Sequence, residues 1–104
     1  MGKTKRFPRD LFGRVTAEAL PRARTLVETW LPDGRLVGEE YIARNPNRED
    51  RRPGSFKINV QTGLWADFAV PVGGCDLISL WAYLNNCSQM QAALRLAELL
   101  DVEP

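Results

Sequence analysis

The sequence predicts an α+β fold in which a small antiparallel β-sheet is packed with an N-terminal helical segment and two C-terminal helices. Three observations support this prediction. Apolar residues recur at helical spacing before residue 31 and again after residue 76. Between these regions, apolar and polar residues alternate at the period of half-buried strands. A chain of 104 residues suits one compact domain, so we assign residues 9–104 to a single module, preceded by a basic arm at residues 1–8.

The N-terminal region is predicted to form two consecutive helices. A first helix should begin near residue 10, because apolar residues follow four positions apart at Leu11, Val15 and Ala19. Pro21 should interrupt this helix, since proline lacks an N–H group and clashes with the preceding turn. A second helix should span residues 22–30 and end before Pro32. Its apolar stripe consists of Ala23, Leu26, Val27 and Trp30.

The middle of the chain is predicted to form the sheet. Residues 32–34, Pro-Asp-Gly, indicate a turn, and one strand should follow over residues 36–44. Residues 45–54 are polar and contain proline, so we expect an exposed loop. A hairpin should come next, with a three-residue loop at residues 61–63. The side chains expected to face the core from this hairpin are Phe56, Ile58, Val60, Leu64, Ala66 and Phe68.

Two helices are predicted at the C-terminal end. The glycines at residues 73–74 favour a tight turn, after which Asp76 is a suitable N-cap for the first helix. Ser88 and Gln91 have the spacing of a capping box, so a second helix should begin there and run to about Leu100.

Composition excludes several classes of protein. No apolar run approaches the roughly 20 residues of a membrane-spanning helix, and the N-terminal stretch lacks the apolar core of a secretory signal. We therefore expect a cytoplasmic protein with no membrane partner. The chain has no histidine and only two cysteines, Cys75 and Cys87, so it cannot supply the four ligands of a structural zinc site or a histidine-containing triad. We expect no metal, no cofactor and no catalytic residue.

The formal net charge is only +1, but the charges are unevenly distributed. Residues 42–57 contain five basic and two acidic side chains, whereas residues 58–104 contain one basic and five acidic side chains. Any contact with a polyanion should therefore be confined to one side of the molecule.

Four short motifs follow one another along the middle of the chain. They are Asn45-Pro46-Asn47-Arg48-Glu49-Asp50, Pro53-Gly54-Ser55-Phe56, Gly63-Leu64-Trp65 and Gly73-Gly74-Cys75-Asp76-Leu77-Ile78. Their order and spacing resemble the zinc-binding domain of bacterial-type DNA primases, in the form found in phage and plasmid primase-helicases. That family has a Cys-Pro-x-His loop, a Pro-Ser-Phe strand start, a hairpin ending in Cys-x-x-Cys, a Gly-Gly-Asp turn and two helices. The resemblance covers about residues 36–102 and implies a zinc-ribbon-like sheet.

The chain departs from this family at every metal ligand. Asn45 and Arg48 stand where the resemblance puts the first two ligands, and Asp67 and Val70 stand where it puts the later cysteine pair. Cys75 is an additional residue within the Gly-Gly-Asp turn. The sheet must therefore be held together by its core rather than by zinc. Asn45 and Asp67 are candidates to join their loops by a hydrogen bond instead.

In this family the domain is not catalytic; it helps to engage the single-stranded template beside a separate polymerase domain. The resemblance therefore implies a single-stranded DNA-binding accessory module of a DNA primase or helicase, with RNA as an alternative ligand. It also implies a replication helicase or polymerase domain as a partner. A second hypothesis is a protein-docking or structural module of a phage or plasmid replication protein that does not bind nucleic acid itself.

Single-strand binding requires cations for phosphates and flat side chains on which bases stack. The loop and the hairpin offer both, and Lys57 and Trp65 are expected on the strand faces that point away from the core. The candidate nucleic-acid-binding residues are Arg44, Arg48, Arg51, Arg52, Lys57 and Trp65. Two alternatives remain open: Glu49 and Asp50 neutralise part of the arginine cluster, and the N-terminal helix covers Trp65.

Overall fold

The computed structural model describes residues 8–47 and 54–102, with side chains from residue 10 onward. In these ranges the chain forms four α-helices, one 3₁₀ turn and five strands, so the α+β class predicted from the sequence is confirmed. The elements are α1 (Pro8–Ala19), the 3₁₀ turn (Leu20–Arg22), α2 (Ala23–Trp30), β1 (Arg35–Val37), β2 (Glu40–Ala43), β3 (Phe56–Asn59), β4 (Trp65–Asp67), β5 (Val72–Gly74), α3 (Leu77–Asn85) and α4 (Gln89–Leu100). No described helix is long and apolar enough to cross a membrane.

The five strands form one antiparallel sheet in the order β1-β2-β3-β4-β5, each strand pairing with its neighbour in the chain. The single strand predicted over residues 36–44 is wrong, because the chain reverses at Gly38 and Glu39 and forms the β1–β2 hairpin. Gly38 has a φ of +62°, which glycine adopts without a steric penalty at the first position of a two-residue hairpin loop.

The tight turn predicted at residues 73–74 is also wrong, because both glycines belong to β5 and pair with β4. Glycine is required there by close packing. A Cβ atom on Gly74 would lie 2.6 Å from Nε1 of Trp65 and 2.3 Å from Oγ of Ser79, and a Cβ atom on Gly73 would lie 2.7 Å from the Trp65 carbonyl oxygen. The glycines therefore let the last strand lie against the Trp65 side chain and its backbone.

The helices begin and end within about two residues of their predicted limits. Helix α1 begins at Pro8, two residues before its predicted start and inside the predicted basic arm. Pro21 lies in the 3₁₀ turn that separates α1 from α2, and α2 ends at Trp30. Asp76 caps α3 by accepting a hydrogen bond from the Ser79 N–H at 2.8 Å. Ser88 and Gln91 form the reciprocal capping box at the start of α4.

The buried side chains form two clusters that share helix α3. One cluster fills the space between the sheet and the helices α2 and α3, and it includes Phe56 and Ile58 from β3 and Leu80 from α3. The other cluster joins α1, α3 and α4 through side chains such as Val15 and Leu96. Helix α3 thus lies between the sheet on one side and the α1–α4 layer on the other, and all four helices occupy the same side of the sheet.

Tyr41 of β2 connects the sheet to the end of α2. Its hydroxyl group donates a hydrogen bond of 2.6 Å to the Leu31 carbonyl oxygen. Burial is the main cause that raises the pKa of Tyr41; Glu28 and Asp33 act in the same direction, and a hydrogen bond from the Gly34 N–H opposes them. A Cβ atom on Gly34 would lie 2.5 Å from the Tyr41 ring, so glycine is needed for this close approach.

Candidate nucleic-acid interface

The side of the sheet opposite the helices carries the side chains that alternate with the core residues. We call this surface the open face. Its members, on the strands and directly beside them, are Arg35, Val37, Glu40, Ile42, Arg44, Lys57, Asn59, Leu64, Ala66 and Phe68. None of these side chains is fully buried, whereas the alternate residues, such as Tyr41, Phe56 and Ile58, are. A flat and accessible sheet surface is therefore available on one side of the domain.

Three cations lie around Ile42 on the open face. Arg35 and Lys57 are the cross-strand neighbours of Ile42 on either side, so their backbones are about 10 Å apart, or two strand spacings. Arg44 follows Ile42 by two residues, about 7 Å along β2. Among the members of the open face, one side chain, Glu40, is a carboxylate. The three cations therefore give this face a local excess of positive charge.

These cations are separate from the ion pairs of the described residues. Those pairs join Arg22 to Glu18, Arg24 to Glu28 and Arg95 to Glu98, and all of them lie on the helical side. Within the described residues, the open-face cations take part in none of them, so their charge is available to a ligand.

Lys57 also lies next to an exposed aromatic ring. Its Nζ atom is 5.9 Å from the centre of the Phe68 ring, within the range of a cation–π contact. Phe68 was expected in the core, but 74% of its surface is exposed. The open face therefore carries an aromatic side chain beside a cation, the combination that single-strand binding uses.

Trp65 does not belong to this surface, and its predicted placement away from the core is wrong. Only 5% of its surface is exposed. Its ring meets Phe56 edge to face, with a centroid distance of 6.1 Å, and lies 5.2 Å from the ring of Tyr83. Its indole N–H donates a hydrogen bond of 2.9 Å to the Ser79 hydroxyl. Trp65 is thus a core residue that joins the sheet to α3.

Trp65 and Phe68 lie on the faces opposite to those predicted, and the single cause is the length of the hairpin loop. Ile58 pairs with Trp65 and the Asn59 N–H donates to the Leu64 carbonyl oxygen, so four residues, 60–63, form the loop instead of three. One extra residue moves every side chain of β4 to the opposite face. The Asn59 side chain favours the longer loop, because its Oδ1 accepts hydrogen bonds from the N–H groups of Gln61 and Thr62.

A buried polar network lies beneath one end of the open face. Asn45 and Asp67 are each 1% exposed, and the Asn45 Nδ2 donates to the Asp67 Oδ2 at 2.8 Å. The same amide donates to the Tyr83 hydroxyl of α3 at 2.8 Å, and Asn47 donates to the Tyr83 carbonyl oxygen. The hydrogen bond proposed from the sequence between Asn45 and Asp67 is therefore confirmed.

This network positions two residues of the open face. Asn45 directly follows Arg44, and Asp67 directly precedes Phe68. The Asp67 Oδ1 also accepts a hydrogen bond of 2.9 Å from the Ala69 N–H, so the backbone on both sides of Phe68 is held. The ends of β2 and β4 are consequently tied to each other and to α3.

The four positions that correspond to metal ligands do not suit zinc. Their side chains are an amide, a guanidinium group, a carboxylate and an isopropyl group (Asn45, Arg48, Asp67 and Val70), whereas zinc is held by Cys, His, Asp or Glu. The amide and the carboxylate are already joined to each other. In the part of the chain that the structure describes, no three His, Cys, Asp or Glu side chains come together to hold a metal ion.

The remaining predicted binding residues, Arg48, Arg51 and Arg52, lie outside the described residues. They belong to the segment that joins Asn47 to Gly54. Of the predicted set, the structure brings Lys57 and Arg44 to one face and removes Trp65 from it. The sequence analysis missed two residues of the open face, Arg35 and Phe68. The capacity of Asn59 to extend the loop was the signal that could have found Phe68.

No protein-family model matches the chain, and a search of curated proteins found no match.

Proposed function

We propose that this chain is a non-catalytic module that binds single-stranded nucleic acid, with template DNA as the first candidate, and that it serves a replication protein of the DNA primase or helicase type. The observation that carries the proposal is the cluster of Arg35, Arg44 and Lys57 on a sheet face that no described helix covers. The resemblance of residues 36–102 to the primase zinc-binding domain supplies the replication context and the partner, a helicase or polymerase domain.

Charge and shape together favour a single strand over a duplex. The cations are spaced across the sheet at about 7 to 10 Å and can follow a flexible phosphate backbone. Between and beside them lie apolar side chains, including Ile42 and Phe68, against which unpaired bases can pack. A duplex keeps its bases stacked inside and would leave these apolar groups without a partner.

The sequence adds three further arginines to this proposal. Arg48, Arg51 and Arg52 follow Arg44 in the chain and precede Lys57 by a few residues. In this proposal they contribute further phosphate contacts, offset in part by Glu49 and Asp50. Substituting both Arg51 and Arg52 by alanine should therefore weaken binding without unfolding the domain.

The test is a titration of a labelled single strand at several salt concentrations. Each phosphate contact contributes about −0.7 to the slope of log K against log salt for single strands, so removing two contacts in the double variant R44A/K57A should reduce the slope by about 1.4. R22A/R24A is the matched control, because it removes two cations from the helical side, where Arg22 pairs with Glu18 and Arg24 pairs with Glu28. Absence of binding at low salt, or a slope that is the same in R44A/K57A, would refute the proposal.

A second candidate function is protein docking without nucleic-acid binding. It is favoured by Val37 and Leu64, which lie on the open face with 49% and 53% of their surfaces exposed. In that case the double variant V37S/L64S would lose binding to a helicase or polymerase domain, and the wild-type protein would show no salt-dependent binding to single strands.

A further inference from the structure

The β4–β5 turn presents one aromatic ring to solvent in a defined position. Phe68 lies directly after β4, and its N–H donates a hydrogen bond of 2.8 Å to the Ser55 carbonyl oxygen, which continues the pairing with β3. The N–H of Val70 donates to the Asp67 carbonyl oxygen at 3.2 Å and closes the turn. The ring is therefore exposed although the backbone that carries it is fixed.

The surroundings of the ring suit a planar ligand that bears negative charge. Phe68 lines a shallow, open depression of about 500 Å³ formed by residues 66–72, whose other side chains are mostly small or apolar, such as Val70 and Pro71. Lys57 places its ammonium group 5.9 Å from the ring centre, and Arg44 lies on the same end of the sheet. A base can thus rest on the ring while its phosphate meets a cation.

We infer that Phe68 is a nucleobase-stacking site, in which an unpaired base packs on the exposed ring and the adjoining phosphate contacts Lys57. This inference rests on the proposed function and names the residue that contacts a base of the bound strand rather than its phosphate backbone. Because the backbone that carries the ring is held before a ligand arrives, little backbone conformational entropy is lost on binding. The aromatic group that supports the strand is therefore Phe68, and Trp65 is excluded from this role by its burial.

The experiment compares two ligands that differ only in their bases. One is an oligothymidylate of about 12 nucleotides, within the site sizes of single-strand binding domains. The other is a strand of the same length and phosphate number in which every nucleotide is abasic. Base stacking on an aromatic ring contributes an amount equivalent to roughly a 5- to 150-fold change in affinity, so F68A should weaken oligothymidylate binding by a factor in this range. The affinity of F68A for the abasic strand should equal that of the wild type.

Two further variants separate stacking from other effects. L99A removes an apolar side chain that is 59% exposed from α4, outside the open face, and should leave both affinities unchanged. F68W keeps a flat ring and should retain oligothymidylate binding. Thermal unfolding of each variant checks that the domain remains folded, which we expect because the Phe68 side chain makes few contacts with the core.

Three results would overturn the inference, and they are distinguishable. If the wild-type protein binds neither strand at low salt, the proposed function fails together with the inference. If the wild type binds with a normal salt dependence but F68A binds oligothymidylate equally well, only the stacking site fails. If F68A weakens the affinity for both strands by the same factor, Phe68 acts through contacts with the phosphate backbone or through the fold and is not a stacking residue.

Discussion

The buried network around Asn45 provides the sharpest test of what ties the ends of β2 and β4 to helix α3. Among the described residues, the substitution Asn45→Ala removes three hydrogen bonds, which join this side chain to Asp67, Tyr83 and the Asn47 N–H at 2.8, 2.8 and 2.9 Å. A buried hydrogen bond contributes about 1 kcal/mol net, and bonds to charged groups contribute more. We therefore expect the free energy of unfolding to fall by about 3 kcal/mol, a large part of the 5 to 15 kcal/mol typical of a domain.

This change is measured by urea unfolding, followed through tryptophan fluorescence, with the m value recorded for each protein. A loss of about 3 kcal/mol corresponds to a decrease in Tm of roughly 12 to 24 °C for a domain of this size. Asn85→Ala is the matched control, because Asn85 is exposed and its amide donates only to the Trp81 carbonyl oxygen. The control should change stability by no more than about 0.5 kcal/mol. A loss below about 1 kcal/mol for Asn45→Ala, at an unchanged m value, would refute the role assigned to the network.

Two glycines and one tyrosine give further expectations. Gly74→Ala should destabilise the fold by about 1 to 3 kcal/mol, because its Cβ atom would overlap Trp65 and Ser79. Gly13→Ala should stabilise α1 by up to about 1 kcal/mol, since no described atom beyond its chain neighbours and the backbone of the helix lies within 4 Å of the new methyl group. Thermal unfolding of both variants checks this pair. The raised pKa of Tyr41 means that the folded state retains the hydroxyl proton at a pH where the unfolded state releases it. The contribution of this hydroxyl group to the free energy of unfolding is therefore fully present below about pH 10 and is lost as the pH rises further. The stability difference between wild type and Y41F, measured by urea unfolding, should therefore shrink above about pH 10, and a constant difference would contradict the assignment.

The helices were predictable because their signals are local. Asp76 and Ser88 cap helices through hydrogen bonds to residues three positions away, and Pro21 limits the helix in which it stands. Such signals depend on neighbours in the sequence and not on the remainder of the fold. The core stripes of α1 and α2 were predicted for the same reason, and Val15 and Val27 are fully buried.

The sheet was less predictable because strand pairing depends on loop geometry. A three-residue loop and a four-residue loop after β3 are both compatible with Gly63, whose φ is +85°. The shorter loop would place Phe68 in the core and Trp65 on the open face, whereas the longer loop does the reverse. Strand β5 was missed because Gly73 and Gly74 have low strand propensity, and their place in the sheet is decided by the bulk of Trp65 against them. Of the residues predicted to bind, Arg44 and Lys57 lie on the open face, whereas Arg35 and Phe68 of that face were not predicted.

The central claim is that the open face, and not the helical side, binds a single strand. Titration of the isotopically labelled protein with an oligothymidylate, followed by amide chemical shifts, tests this claim residue by residue. We expect the largest shifts at Arg35, Arg44, Lys57 and Phe68, with α1 and α4 unchanged. Shifts that cluster on α1 and α4, with the open-face amides unaffected, would contradict the account.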